Sequence, residues 1–382
     1  MIVVVGAGLA GMATAARLAR VGHRVIILDE ADGPADLLPT PLDTDPTTVV
    51  LPAAWRDLFR KSGRPLDAEL ARHRLALTPA PPAAHQLGGG VLRLPSDRAG
   101  QWHALVDALG TGPATAWRDL LDRLDTTWLA LRPLGVEAEL TAGRFDRATR
   151  QALRPHESLA DLARQAGPEL GPLLTGLAIR RDSDPRLTPG WVGTRLSIER
   201  TFGRWQLTGP DGAAHPAARL GELLAQRLAD RAVSLRWSIR IERIRAGRVD
   251  TSEGTLACRA VVVTLDPWRH RELSGRDDRD LAATIRRLRP AATAGPRWDG
   301  WRTLLRLPRL LTGLPGVYHA SAFSPAGPEP WAQLLTGALA AYRVHEDLTG
   351  QDMRPTNKDW RPAQARTVTS TPTNMSDSLD PE

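Results

Sequence analysis

Residues 1–30, MIVVVGAGLAGMATAARLARVGHRVIILDE, decide the fold. Met1 to Val5 is a short apolar run that reads as a strand. Gly6, Gly8 and Gly11 follow with GxGxxG spacing. Ala15, Leu18 and Gly22 then fall on one helical face, and Val25 to Leu28 reads as a second buried strand. Asp29 stands 18 residues after Gly11 and is followed by Glu30. Each part of this strand–turn–helix–strand–acid unit has a physical task. Gly6 permits the tight turn, Gly8 lets backbone approach a pyrophosphate, and Gly11 lets helix pack on sheet. The helix N-terminus offers unpaired N–H groups and partial positive charge to phosphates. Asp29 can accept hydrogen bonds from a ribose diol. The unit predicts a dinucleotide site. The competing reading is an ordinary βαβ crossover whose glycines serve only packing.

Working outward, 382 residues suggest two lobes, and 42% hydrophobic residues suffice for a sizeable core. The apolar runs are too short for a transmembrane helix. Met1 is already part of the first strand, so no signal peptide is expected ahead of it. A single cysteine, Cys258, excludes an internal disulfide and fits a reducing, cytoplasmic setting. It lies in a strand-like stretch, as a buried structural residue would. The net charge of +7 is carried almost wholly by arginine, with Lys61 and Lys358 the two lysines. The basic residues are scattered without interleaved aromatics, which argues against nucleic-acid binding. A basic face suits peripheral contact with anionic lipid, although an arginine-biased solvated surface is the plainer reading. The nine histidines lack metal-ligand spacing, so no metal site is expected.

The nucleotide domain reads as three separated segments, 1–73, 210–275 and 312–350. A loop-rich stretch over 31–52 precedes a helix from Ala53 to Ser62. Residues 74–78 and 91–94 read as strands of a small sheet joined through Gly88-Gly89-Gly90. From Gln101 to Ile179 the spacing is helical: Trp102, Leu105, Val106 and Leu109, then Trp117, Leu120, Leu121, Leu124, Trp128 and Leu131. Residues 74–209 therefore form a second, mainly helical domain, in which 187–209 lead back to the first. Pro216 to Leu228 reads as an amphipathic helix, Val233 to Ile244 as an alternating strand, and Ala260 to Leu265 as a buried strand. Residues 276–311 read as a helical return through the second domain. Gly316 to Tyr318 then reads as a last strand, followed by a helix from Pro330 to Tyr342. Residues 351–382, rich in Pro, Thr, Ser and Asp, read as a disordered tail.

Four places resemble the phytoene desaturase branch of the FAD-dependent amine oxidase superfamily. They are GAGLAG with Asp29, LDTDPTTVVLPAAWRDLFRKSGRPL (42–66), SLRWSIRIERI with GRVDTSEGTLACRAVVVTLDP, and PGVYHASAFSPAGPEPWAQLLTGALAAY (315–342). The resemblance covers roughly residues 1–350. It implies an α/β fold: a Rossmann-like FAD-binding domain, with helices on a parallel sheet, and an inserted, mainly helical substrate domain carrying a small sheet. It also implies FAD as cofactor. Gly6, Gly8 and Gly11, with Leu9 and Ala10 in the same turn, would hold the pyrophosphate. Asp29 would hold the adenosine ribose, with Glu30 next to it also counted among the cofactor-binding residues, and Ile241 would offer backbone to adenine. Ser321 and Ala322 match the turn by the ribityl chain. Trp331 and Ala332 match the helix start near the isoalloxazine, where a positive helix end would favour reduced flavin.

Three departures stand out. The family's paired glycines and phosphate-meeting arginine are replaced by Gly33-Pro34-Ala35-Asp36-Leu37-Leu38. A glycine of its second motif is Asp45, which would bring negative charge towards phosphates or flavin. Its last glycine run reads Pro325-Ala326-Gly327-Pro328-Glu329. The implied chemistry is hydride transfer from substrate to flavin, the substrate being a small apolar isoprenoid or polyene. Two other functions remain open: an oxidase of amines or other small molecules, and a degenerate FAD-binding protein without catalysis. No residue is nominated as a catalytic base, and Trp331 is the candidate pocket wall.

Overall fold

The computed structural model describes residues 1–33, 45–88, 90–275, 278–291 and 295–354. Its frame is a parallel sheet of five strands: β1 (Ile2–Val5), β2 (Val25–Leu28), β3 (Ser234–Arg236), β4 (Ala260–Val263) and β5 (Val317–His319). Their spatial order is β5-β4-β1-β2-β3. Val5 pairs with both Leu28 and Val263, Leu28 with Arg236, and Val263 with His319, so the carboxyl ends lie level. Apart from the edge strand β3, whose Ser234 and Arg236 are exposed, the strands run nearly continuously apolar because both faces are covered.

Alternation along the strands divides two cores. Ile2, Val4, Val25, Ile27, Ala260 and Val262 face helices, among them α1 (Leu9–Arg20). Val3, Val5, Ile26, Leu28, Val261 and Val263 face an antiparallel meander, Ile241–Arg245, Arg248–Thr251 and Gly254–Ala257. The mainly helical part includes α2 (Leu159–Ile179), interrupted at Gly167 (φ +85°) ahead of Pro168, and α3 (Thr194–Phe202). Leu105, Trp117, Leu121, Leu124, Leu162, Leu170 and Leu174 form its core. Two more helices flank the sheet: α4 (Pro267–Ser274) follows β4, and α5 (Pro330–Thr349) follows β5.

The helices α1 and α5 lie side by side and parallel. Thr14 Oγ1 donates to the Gly337 carbonyl (3.1 Å), Arg17 meets the Tyr342 hydroxyl (3.4 Å), and His23 meets His345 (2.9 Å). Close approach is why Gly337 has no side chain: a β-carbon there would lie 2.5 Å from the Ala10 carbonyl oxygen. Both helix N-termini consequently lie at the carboxyl edge of the sheet, that of α1 exposed at Gly8 and that of α5 buried around Glu329 and Trp331.

The structure corrects several local expectations. Val233 to Ile244 is not one strand. Ser238 adopts φ +56°, and the amides of Ser238 and Ile239 bind the carbonyls of Ala31 and Asp29. This turn sends Ser234–Arg236 into the parallel sheet and Ile241–Arg245 into the meander. Residues 91–94 pair with Ala83–Leu87, whereas Ala76–Pro79 pairs with Arg204–Thr208. The stretch 187–209 holds α3 and the strand Arg204–Thr208 rather than a plain connection. Residues 34–38 of the altered loop, Gly89 of the triple glycine and the tail beyond 354 lie outside the described residues.

Candidate functional site: a dinucleotide edge beside a tryptophan-lined cavity

Gly6, Gly8, Gly11, Asp29 and Ser321 come together along the carboxyl edge of the sheet. Gly6 takes φ +104°, and a β-carbon on it would lie 2.4 Å from Thr264 Oγ1. That hydroxyl donates to the carbonyls of Gly6 and Val5 at 2.9 and 3.1 Å, tying the turn to the end of β4. A β-carbon on Gly11 would lie 2.2 Å from the Gly6 carbonyl oxygen, so α1 could not sit where it does. Gly8 differs: it is exposed at the N-cap of α1, and nothing lies within 4 Å of its missing β-carbon. No side chain caps α1, and its first turn holds no acid, so its N–H groups and partial positive charge face outward. Leu9 and Ala10 are buried in the core, leaving only their backbone to the edge.

The residues present fit a dinucleotide at this phosphate end. Asp29 accepts the amides of Ala7 (2.5 Å) and Ala31 (2.9 Å), one on each oxygen. An ionised carboxylate accepts about four hydrogen bonds, so capacity remains for a ribose diol. The edge expected to meet adenine has internal partners. The Ile241 N–H donates to Glu30 Oε1 (2.9 Å), and Arg269 Nη2 bridges Glu30 (2.6 Å) and the Ile241 carbonyl (3.2 Å). Burial alone would raise the Glu30 pKa, but the Arg269 guanidinium and the Ile241 amide outweigh it and hold the carboxyl below its usual range. Glu30 is therefore engaged with the Ile241 backbone, and the Ile241 N–H is free only if Glu30 swings aside.

Beyond β5 the chain turns through Ser321. Its amide donates to Ser324 Oγ (3.0 Å), and its hydroxyl accepts from the Phe323 amide and lies 2.8 Å from His319 Nε2. His319 Nδ1 in turn meets His270 Nδ1 of α4 at 3.2 Å, the two rings stacked 5.4 Å apart. Burial pushes His270 down to about 4 and His319 well below its ordinary value, so both rings are neutral. Ser321 is thus an internal brace, and half-buried Ala322 is the more open of the pair. Asp45 also has an internal task. It binds Thr47 and Thr48, and Arg204 stands 3.8 Å away. Burial would raise its pKa, but these hydrogen bonds and the arginine lower it, which leaves a locally compensated charge.

Trp331, at the start of α5, lines a cavity of about 80 Å³ with Trp128, Trp191 and Trp298. Trp128 meets Trp331 edge to face at 5.7 Å, and Trp191 meets Trp298 likewise at 6.3 Å. Ala332 is buried beneath this wall. Glu329, the N-cap of α5, also lines the cavity. Its Oε1 accepts from Arg181 Nη2 (2.7 Å), at the end of α2, and from Arg195 Nη1 (2.6 Å), in α3. Arg195 Nε further meets Glu199 at 3.1 Å. Among the described residues no group of three or more His, Cys, Asp or Glu could hold a metal, and no helix is long and apolar enough to cross a membrane. Cys258 is half-buried and its thiol is pushed up to about 11, so it is no nucleophile.

Thr264, the Glu30–Arg269 pair, the His270–His319 pair and the Arg181–Glu329–Arg195 cluster escaped sequence reading. Their members are 49 to 239 residues apart, except Arg181–Arg195, and no periodicity links them. The one readable signal was Glu329 in place of glycine before the last helix.

Comparison with known proteins agrees with this frame. Residues 4–55 match the family described as NAD(P)-binding Rossmann-like domain. The chain is 30% identical over 289 residues to hydroxyneurosporene desaturase of Cereibacter sphaeroides, covering 70% of this chain and 56% of that one. It is 28% identical over 289 residues to phytoene dehydrogenase of Streptomyces griseus, covering 69% and 54%. The chain thus spans about half the length of the curated relatives it matches. Its fold is similar to that of cyclohexylamine oxidase from Brevibacterium oxydans, with a TM-score of 0.54 at 14% identity over 91% of this chain and 99% of that one. Over the stretch it shares with them, the chain is similar to these two proteins, and its frame is a Rossmann-like α/β one.

Proposed function

We propose that this chain is an FAD-dependent oxidoreductase of the desaturase type, acting on an apolar isoprenoid or polyene. One observation carries the reading: the open N-terminus of α1 and the N-terminus of α5 lie at the same sheet edge, and the tryptophan-lined cavity begins where α5 begins. Bound FAD would supply a hydride acceptor at that junction. The chain's own residues then divide the work. Gly8 and the first N–H groups of α1 bind the pyrophosphate, and Asp29 orients the ribose. Trp128, Trp331, Leu131, Val136 and Ile198 exclude water from the apolar end of the substrate.

The amine-oxidase reading is weaker. An ammonium substrate needs an uncompensated acid or aromatic faces away from cations. Here the cavity carboxylate, Glu329, is already shared by two guanidinium groups. The non-catalytic reading draws support from the engaged Ile241 amide, because cofactor binding must compete with Glu30 there. The visible spectrum of the purified protein tests the proposal. A flavin spectrum, bleached anaerobically by a polyene and not by an amine, is expected. A colourless protein that takes up no added FAD refutes it.

A further inference from the structure

A second cavity, of about 280 Å³, lies beside β5 and shares no lining residue with the one beside Trp331. Its walls come from the helix Arg279–Ile285, from residues 305–312 and from His319. Leucines supply its apolar surface: Leu281 and Leu307 are buried, and Leu305 and Leu311 are exposed. The cavity therefore reaches from the interior to the surface. Asp278 stands on its buried side, with no exposed surface of its own. Asp278 Oδ1 accepts the amides of Leu281 (2.9 Å) and Gly313 (3.4 Å). Its Oδ2 has no hydrogen-bond partner among the described residues. Arg271 approaches the Asp278 main-chain carbonyl, at 3.4 Å, and not its carboxylate. A buried carboxylate oxygen without a donor is costly, so the cavity holds an acceptor that the chain itself leaves unmet.

Arg309 lines the same cavity from its exposed side, with no hydrogen bond or ion pair among the described residues. Glu139, which shares a smaller cavity with Arg309, pairs with Arg343 at 3.9 Å. His319 adds no charge: burial holds it neutral, and its two ring nitrogens meet His270 and Ser321. The charged groups on the lining are thus a carboxylate inside and a guanidinium outside. A plain cation would meet Arg309, and a plain anion would meet Asp278. A molecule with one charge of each sign at its two ends is repelled by neither. We infer that this cavity binds a short ω-amino acid. Its ammonium donates to Asp278 Oδ2, its methylene chain lies against the leucines, and its carboxylate accepts from Arg309. At about 30 Å³ for each water-sized group, the cavity takes roughly nine of them, the non-hydrogen atoms of ε-aminocaproate. The site is separate from the proposed function and needs no flavin.

Isothermal titration calorimetry of the full-length protein tests this with ε-aminocaproate, hexylamine and hexanoate, the last two keeping the chain and one charge each. The amino acid is expected to bind at least about tenfold more tightly than either, since it alone makes both charge-assisted contacts. Asp278→Asn keeps an acceptor for the Leu281 amide, because asparagine caps a helix as well as aspartate does, and turns the free oxygen into a donor. It is expected to weaken ε-aminocaproate at least about tenfold. Arg309→Gln, at an exposed position, is expected to lower its affinity to that of hexylamine, and decides the matter if the Asp278 variant does not fold. No binding of ε-aminocaproate, equal binding of hexylamine, or unchanged affinity in either folded variant overturns the inference. The titration is repeated in saturating FAD, where the affinity is expected to stay within about twofold. Loss of binding there would make the cavity part of the cofactor site and overturn it as a separate one. A protein that takes up no FAD would sink the proposed function and leave this inference standing.

Discussion

Substituting the glycines of the first turn one at a time separates their roles. In Gly8→Ala the new methyl enters open space at φ −63° and ψ 174°, a backbone conformation any residue adopts. Less freedom in the unfolded chain favours alanine by ~0.4–1 kcal/mol. Poorer N-capping costs about as much. The two nearly cancel, so the melting temperature should move by less than about 3 °C. The same methyl stands at the mouth of α1, where a pyrophosphate must approach backbone, and FAD affinity should fall at least ~10-fold, which is about 1.4 kcal/mol. Gly11→Ala should behave in the opposite way. Its β-carbon would lie 2.2 Å from the Gly6 carbonyl oxygen, a backbone atom that cannot rotate aside. Better helix propensity returns at most ~1 kcal/mol, against overpacking that costs roughly 1–3 kcal/mol or more. Urea unfolding followed by circular dichroism measures the stability, and flavin fluorescence titration measures the affinity. The reasoning fails if Gly8→Ala binds FAD as the parent does, or if Gly11→Ala matches the parent in stability.

Acidification should expose the buried histidine pair. The His270 pKa is about 4 when folded against 6.5 unfolded, so the unfolded chain takes up the proton first. Its contribution is complete above pH 6.5 and is lost as pH falls towards 4, by about 2 kcal/mol between pH 7 and pH 5. A His270→Leu variant whose urea midpoint is just as sensitive to pH over that interval would contradict this. Arg227 and Glu69 form a buried pair with side chains 3% and 8% exposed. Glu69→Leu strands the guanidinium and should cost ~3–5 kcal/mol, whereas the double change with Arg227→Met should recover most of it in the same denaturation assay. Cys258 should react with iodoacetamide far more slowly than free cysteine at pH 8.5, because its thiol titrates near 11. A rate equal to that of the free amino acid would show the burial to be wrong.

Much of the frame was legible because it is encoded locally. The strand β1, its glycine turn, α1, β2 and Asp29 are contiguous, and their arrangement follows from spacing alone. The last helix was legible for the same reason, from Pro330 onward. The single strand drawn from Val233 to Ile244 was misread because alternation does not register a left-handed residue. Ser238 turns the chain there, held by the carbonyls of Asp29 and Ala31, which lie about 200 residues earlier in sequence and which no local pattern reports.

The sequence by itself determined a parallel α/β frame with an uncapped helix end after the first strand, since turn chemistry and hydrophobic period are short-range properties. Only the tertiary structure decided how the other polar groups of that edge are spent. It placed Glu30 and Arg269 on the backbone of Ile241, joined Ser321 to His319 and His270, and set Glu329 between Arg181 and Arg195. The physical reason is desolvation. A buried charge or hydrogen-bonding group must find a partner, and the fold supplies whichever one its topology brings near, however distant in the chain.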